Sequence, residues 1–144
     1  FNLTIPKVSG LNFSFSGLKT NFMHLIQNKT RKNKLFVKEN MADLCASIQA
    51  TIIQILMQKI NLCIENHNIK QIAISGGVAA NEKFREAIIK LQKTHKIQVL
   101  IPEKEYSTDN GAMIAISGYY KYIEKKFTNM STNVDPRKKI DYSK

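Results

Sequence analysis

Apolar side chains recur along the first half of the chain with two different spacings. Residues 11–17 alternate apolar and small polar side chains, the pattern of a half-buried strand. Residues 18–27 place apolar side chains on one side of a short helix, and the basic residues 28–36 predict a solvated loop. Residues 37–66 then carry apolar positions close to helical spacing. We therefore expect a long scaffold helix there, with a bend or break near its ends.

The second half of the chain alternates between short β-branched runs and helical patterns. Residues 69–74 and 97–101 predict strands, and residues 79–94 place apolar side chains on one helical stripe. A strand, a helix of this length and a strand make a βαβ unit, with parallel strands and a right-handed crossover. A last helix is predicted to start near Thr108 as its N-cap, with Asp109 in its first turn.

Glycine and polar residues cluster at two places where a predicted strand gives way to a helix. Residues 75–81 read Ser-Gly-Gly-Val-Ala-Ala-Asn, and residues 107–113 read Ser-Thr-Asp-Asn-Gly-Ala-Met. Two such junctions, joined by one helix and one strand, lie side by side at the same edge of a parallel sheet. Because open α/β sheets bind their ligands at that edge, the pattern predicts a phosphate- or nucleotide-binding site.

The residue types at these junctions suit such a ligand. Gly76 and Gly77 let backbone amides approach a ligand without a Cβ in the way, and the following helix directs its free N–H groups to the same place. Asn81 offers both a donor and an acceptor. The alternative left open is a tight turn in which Asn81 caps its own helix. Capping is also the commoner role for an Asp placed like Asp109, and one carboxylate does not make a metal site.

Net charge changes this interpretation only in part. The formal net charge of +11 is typical of proteins with a nucleic-acid or anionic partner. However, 19 of the 22 basic residues are Lys, and with many Ile and Asn residues this composition is typical of an AT-rich genome. Charge alone leaves contact with an RNA and a merely solvated surface equally open.

Size, apolar runs and cysteines limit the class of protein. The 144 residues fit one domain or one lobe of a larger protein, and the start at Phe1 leads us to expect a C-terminal piece of a longer chain. No uninterrupted apolar run approaches the roughly 20 residues of a membrane span, so we expect a cytoplasmic protein with no membrane partner. Cys45 and Cys63 are expected to be unpaired core thiols of one helix.

Three segments of the chain, in order, resemble the motifs of one family. Residues 13–20 (Phe-Ser-Phe-Ser-Gly-Leu-Lys-Thr), 75–81 and 108–115 closely resemble the tRNA N6-adenosine threonylcarbamoyltransferases, formerly called O-sialoglycoprotein endopeptidases or glycoproteases. The resemblance extends over residues 11 to about 126, and the residues of the motifs resemble those of the bacterial or organellar branch. It implies an α/β chain with the two-lobed actin, sugar kinase and Hsp70-like (ASKHA, ribonuclease H-like) fold.

This resemblance also implies a domain organisation. Residues 1–127 would be part of the C-terminal lobe of that fold, and residues 128–144 a basic, flexible tail. The first lobe, with the family's His-x-x-x-His pair, and the Gly-rich loop that opens the second lobe have no counterpart in this chain. We therefore expect the chain alone to be catalytically inactive.

The activity implied by the resemblance is a group transfer to tRNA. Family members move the threonylcarbamoyl group from threonylcarbamoyl-AMP to N6 of adenosine 37 in tRNAs that read codons starting with A. By the match of motifs, Asn81 would contact the adenylate, and Gly76 and Gly77 would line its adenosine side through their backbone. Asp109 would be one ligand of a divalent metal ion, iron or zinc, whose His ligands lie outside this chain.

The implied partners are tRNA, a smaller homologous subunit that forms a heterodimer, and a small ATPase. Basic residues within 28–36 and 137–144 are candidates for contacts with tRNA phosphates, with a solvated surface as the alternative. The alternative function is a non-catalytic homologue that serves as a scaffold for the modification complex. The presence of Asn81 and Asp109 argues against it, because a scaffold needs no ligand-binding Asp.

Overall fold

The computed structural model describes residues 1–133 and 135–137. The chain divides into two units, Phe1–Thr108 and Asp109–Lys144. The first unit contains helices α1 (Ser16–Lys32), α2 (Phe36–Glu39), α3 (Met41–His67) and α4 (Glu82–His95), strands β1 (Gln71–Ala73) and β2 (Gln98–Leu100), and short 3₁₀ helices at Gly77–Ala80 and Lys104–Tyr106. The second unit contains helix α5 (Gly111–Ile123).

The prediction of a strand at residues 11–17 is wrong. Residues 12–15 have no regular structure, and α1 already begins at Ser16. An alternating segment becomes a strand only where a neighbouring strand accepts its hydrogen bonds, and within the described residues only β1 and β2 pair. Phe13 and Phe15 instead stack on each other, with ring centroids 6.0 Å apart.

The basic loop predicted for residues 28–36 is also wrong over most of its length. Helix α1 continues through Lys32, and α2 begins at Phe36. Lys and Arg are good helix formers, and Lys29, Arg31 and Lys32 occupy the last turn of α1, where positive charge interacts favourably with the helix dipole. Most of the basic side chains of this segment therefore lie at the C-terminal end of α1.

The long scaffold helix is present, and it breaks near its start as predicted. Asn40 separates α2 from α3, and α3 ends at Asn68, whose left-handed backbone (φ 48°) turns the chain so that the Ile69 N–H bonds the carbonyl of Ile64 at 3.4 Å. Cys45 is exposed and Cys63 half-buried, both as free thiols. The prediction of core thiols is therefore wrong for Cys45.

Helix α3 is long and apolar enough, by length and composition alone, to cross a membrane, although the sequence contains no long uninterrupted apolar run. Core helices of globular proteins satisfy the same criterion. On α3, Lys59 donates hydrogen bonds to the carbonyl oxygens of Val8 at 2.7 Å and Gly10 at 2.5 Å. In this structure the helix thus anchors the N-terminal segment through a charged side chain.

The predicted parallel pair of strands is confirmed, although each strand is only three residues long. Helix α4 connects them, and their register pairs Gln71 with Gln98, Ile72 with Val99 and Ala73 with Leu100. The core beside the pair consists of Ile64 from α3, Phe84, Ile88 and Leu91 from α4, and Ile97. Since Phe84, Ile88 and Leu91 share one helical stripe, their burial fixes which face of α4 packs inward.

Helix α5 begins later than predicted. Its N-cap is Asn110, whose Oδ1 accepts a hydrogen bond from the Met113 N–H at 3.1 Å. The assignments of Thr108 as N-cap and of Asp109 to the first turn are therefore wrong, because Asn, one of the strongest N-cap residues, caps the helix instead. Asp109 directly precedes the cap.

Candidate functional site

The predicted Gly-Gly segment lies just beyond the carboxyl end of β1, and it is exposed. Gly76 has φ 81° and ψ 175°, a conformation that only glycine adopts readily. The 3₁₀ helix Gly77–Ala80 follows, and the Ala79 N–H closes it onto the Gly76 carbonyl at 2.9 Å. A Cβ on Gly76 or Gly77 would meet nothing within 4 Å, so open space faces this loop.

Asn81 lies between this loop and α4, and its side chain makes two hydrogen bonds. Its Oδ1 accepts from the Phe84 N–H at 3.1 Å, which makes Asn81 the N-cap of α4. Its Nδ2 donates to Oε1 of Gln49 at 2.9 Å. The capping alternative is therefore present in the structure. An amide has two N–H donors and two acceptor lone pairs, so these two bonds leave capacity for a ligand.

Gln49 is a residue of this site that the sequence did not single out. It lies on α3, which the sequence suggested only as a scaffold, and it reaches Asn81 across 32 positions of the chain. Its local pattern is that of any polar residue on a helix surface. Only the tertiary packing of α3 beside the loop after β1 identifies it.

Side chains of α4 connect the loop after β1 with the segment after β2. Arg85 donates through Nη1 to the Ala79 carbonyl at 2.8 Å and through Nη2 to the Pro102 carbonyl at 2.7 Å. Glu82 forms an exposed ion pair with Lys104. The hydrogen bond from Lys104, together with its charge, lowers the pKa of the Glu82 carboxyl.

The segment after β2 is fixed by a buried serine before it reaches the second unit. Ser107 is 1% exposed, and its hydroxyl donates to the Glu103 carbonyl at 3.2 Å. The hydrogen bond to Glu105 and the charge of that carboxylate raise the pKa of Tyr106. The chain thus leaves the first unit from an anchored position.

The structure brings Gly76, Gly77 and Asn81 together in the first unit, and Asp109 is the first residue of the second unit. Asp109 is exposed. Within residues 1–133 and 135–137, no group of three or more His, Cys, Asp or Glu side chains is arranged to hold a metal ion. The exposed carboxylate of Asp109 is chemically suited to act as one ligand of a divalent ion.

Two concave regions border the loop after β1. The larger, of about 720 Å³, is apolar, and its lining includes Phe15, Leu18, Phe22, Ile52 and Leu56. The smaller, of about 360 Å³, is lined by Gln49, Gly77 and Asn81 among others. A charged nucleotide needs polar partners, which the larger groove lacks apart from Lys19 and Ser75. The smaller cavity, which is lined by two of the predicted ligand-binding residues, is therefore the better candidate for a nucleotide site.

Comparison with known proteins gives one consistent result. The family model described as tRNA N6-adenosine threonylcarbamoyltransferase matches residues 1–116. The protein of that name from Christiangramia forsetii is 44% identical, over 97% of this chain and 41% of the relative. The one from Porphyromonas gingivalis is 46% identical over 88% and 37%, and the one from Caldicellulosiruptor saccharolyticus is 40% identical over 94% and 40%.

The chain thus spans about two fifths of the length of these curated relatives. The range matched by the family model contains the loop after β1, Asn81 and Asp109. Because this range is more than half of the chain, the resemblance is confirmed. The chain belongs to the tRNA N6-adenosine threonylcarbamoyltransferase family.

Proposed function

We propose that this chain is the C-terminal part of an enzyme that completes threonylcarbamoyladenosine in tRNA. The enzyme transfers the threonylcarbamoyl group from threonylcarbamoyl-AMP to N6 of adenosine 37 in tRNAs that read codons starting with A. The observation that carries the proposal is the loop of residues 76–80, which follows β1 and leads into the Asn81 cap. Family membership supports the same activity.

The proposed fold is the C-terminal lobe portion of an actin-like (ASKHA) structure, over residues 1–127. The parallel β1–α4–β2 unit and the long helix α3 are compatible with such a lobe. Residues 128–144 would form a basic tail. Of the tail's proposed phosphate-binding residues, Arg137 is described, whereas Lys138, Lys139 and Lys144 lie outside the described residues.

In this proposal the chain mainly orients an activated substrate. The carbamoyl group of the adenylate is joined to phosphate in a mixed anhydride, so transfer needs positioning and charge stabilisation more than activation. The N6 amine attacks the carbamoyl carbon, the bond from that carbon to the phosphate oxygen breaks, AMP leaves, and N6 loses a proton. The backbone of Gly76 and Gly77 borders the adenosine, and the Asn81 amide hydrogen-bonds the adenylate.

Asp109 is proposed to be one ligand of a divalent metal ion, iron or zinc. When bound, such a metal polarises carbonyl and phosphate oxygens as a Lewis acid. The His-x-x-x-His pair that completes the site would come from a part of the enzyme without counterpart in this chain. For the same reason we expect this chain alone to be inactive.

The proposed partners follow the family. They are tRNA, a smaller homologous subunit and a small ATPase, in the cytoplasm. The basic end of α1, with Lys29, Arg31 and Lys32 in its last turn, is one candidate contact for tRNA phosphates.

A substitution at Asn81 tests the activity. Asn81→Asp keeps an oxygen that caps α4, but it removes the Nδ2 donor and places a negative charge beside a bound phosphate. The protein is expressed from its complete reading frame and assayed with its partner proteins and tRNA. We expect Asn81→Asp to lower the rate of tRNA threonylcarbamoylation at least about tenfold, while the free energy of unfolding stays nearly unchanged. Asp109→Ala should lower activity and bound metal together.

The exposed residue Lys83, in the first turn of α4, supplies the control. Lys83→Ala should leave the transfer rate unchanged, because its ion pair with Glu86 lies at the surface. If the complex modifies tRNA equally well with Asn81→Asp and with Asp109→Ala, the chain is the non-catalytic scaffold that the sequence left as the alternative.

A further inference from the structure

Arg85 is a single side chain that contacts the loops following both parallel strands. Its guanidinium donates two hydrogen bonds to backbone carbonyl oxygens, through Nη1 to Ala79 at 2.8 Å and through Nη2 to Pro102 at 2.7 Å. Ala79 belongs to the loop after β1, and Pro102 lies two residues beyond the end of β2. The two loops are therefore joined through one residue of α4.

Both acceptors of Arg85 are uncharged backbone carbonyl oxygens. Within residues 1–133 and 135–137, none of the salt bridges includes Arg85. A guanidinium is planar and presents its N–H donors in a fixed fork, so two bonds to two different loops restrain the distance between them. The flexible ammonium group of a Lys would not hold two separate oxygens in the same fixed geometry.

The peptide groups on both sides of Ala79 are held in place. The Ala79 N–H bonds the Gly76 carbonyl, and the Ala79 carbonyl accepts from Arg85. Ala79 is 1% exposed, so its carbonyl has little access to water that could replace Arg85. Leaving a buried acceptor unpaired is costly, and the loop is expected to move rather than keep its shape without the guanidinium.

We propose that Arg85 is a positioning residue for the adenylate site. It holds the loop of residues 76–80 at a fixed distance from the segment that begins at Pro102, so that the backbone of Gly76 and Gly77 is already arranged when the ligand arrives. The identity of the ligand rests on the proposed function. The restraint on the loop does not, because it follows from the two hydrogen bonds alone.

The first test compares local with global protection of backbone amides. We use Arg85→Met, which keeps the length of the side chain but removes the donors, in the protein expressed from its complete reading frame. Lys83→Met is the matched control, because it removes one positive charge from the same turn of α4 at a side chain that is 64% exposed. Hydrogen exchange is then followed at the amides of Ala79, Asn81 and, as a reference directly after β1, Ile74.

We expect Arg85→Met to accelerate exchange at Ala79 and Asn81 about tenfold, since two hydrogen bonds are lost. Ile74, whose N–H bonds the Leu100 carbonyl, should change much less, and Lys83→Met should change none of the three. Equal acceleration at Ile74 and Ala79 would mean that Arg85 supports only global stability, and no acceleration would mean that it restrains nothing. Either result overturns the proposal. If Arg85→Met does not fold, Arg85→Lys serves in the same comparison.

The second test separates binding from turnover. In the transfer assay, Arg85→Met should raise KM for threonylcarbamoyl-AMP about tenfold, with a smaller change in kcat, because a disordered loop must be reordered by the ligand. An unchanged KM in an active enzyme would overturn the role in positioning. If the wild-type protein transfers nothing, the proposed function fails, whereas the exchange experiment still decides whether Arg85 restrains the loop.

Discussion

Asn81 illustrates at the residue scale how a helix cap fixes the orientation of an amide that we propose to bind the adenylate. The Phe84 N–H donates its hydrogen bond to the Asn81 side chain, whose only acceptor is Oδ1, so Oδ1 must face α4. Nδ2 then faces Gln49, which accepts through Oε1. The sequence presented capping and ligand binding as alternatives, but a cap that also fixes the orientation of the amide is compatible with the proposed contact to the adenylate.

The two neighbouring glycines of the loop provide a matched prediction. Gly76 has φ 81°, whereas φ of Gly77 is not positive, and a Cβ at either position would meet nothing within 4 Å. Gly76→Ala should therefore lower the free energy of unfolding by about 1–3 kcal/mol through backbone strain alone. Gly77→Ala should change it by less than about 1 kcal/mol. Urea denaturation of both variants measures the difference, and equal losses would contradict this explanation.

The ion pair between Glu82 and Lys104 predicts a dependence on pH. Lys104 lowers the pKa of the Glu82 carboxyl in the folded state, first through its hydrogen bond and then through its charge. The stabilisation is therefore present above the pKa of the unfolded state, and it is lost as the pH falls through the lower pKa of the folded state. Since both side chains are exposed, the effect on stability is small and is reduced by salt.

An NMR titration of the Glu82 carboxyl measures this pKa directly. We expect Lys104→Met to raise it back toward the ordinary value for Glu, and added salt to shift the wild-type pKa in the same direction. A pKa that is the same in the variant and the wild type would show that Lys104 does not interact with Glu82 in solution.

At the scale of elements, the sequence predicted the helices and strands whose own apolar spacing is sufficient to identify them. α3, α4 and the β1–β2 pair each follow from their own apolar spacing and were predicted with approximate bounds. The prediction of a strand at residues 11–17 failed, because an alternating segment forms a strand only beside a partner strand, which its own sequence does not contain. The predicted start of α5 was wrong for a different reason. Thr108, Asp109 and Asn110 are all suitable N-cap residues, and the local sequence does not show which of them caps the helix.

Helix α5 provides the prediction at this scale. Gly118 lies within it, its φ is not positive, and a Cβ there would meet nothing within 4 Å. Gly118→Ala should therefore stabilise the helix by up to about 1 kcal/mol, while Ala115→Gly, on the same helix, should destabilise it by a similar amount. Hydrogen exchange of the α5 amides measures both changes. Destabilisation by Gly118→Ala would mean that a close neighbour of this position exists in solution.

At the scale of the whole molecule, the motifs identified the family, whereas the residues that contact the candidate site from distant parts of the chain came only from the structure. Gly76, Gly77 and Asn81 were predicted because they form a short contiguous motif at a strand end. Gln49 and Arg85 were not, because their roles depend on contacts with distant parts of the chain. A contiguous motif is therefore easier to recognise in a sequence than a contact between distant parts of the chain.

The exposed thiol of Cys45 has a practical consequence. Cys45 precedes Gln49 by four residues on α3, which is about one helical turn or 6 Å along the axis. Gln49 in turn touches Asn81. A fluorophore attached to Cys45 would therefore lie close enough to report, in real time and without a transfer assay, on whether the cavity beside Asn81 is filled or empty.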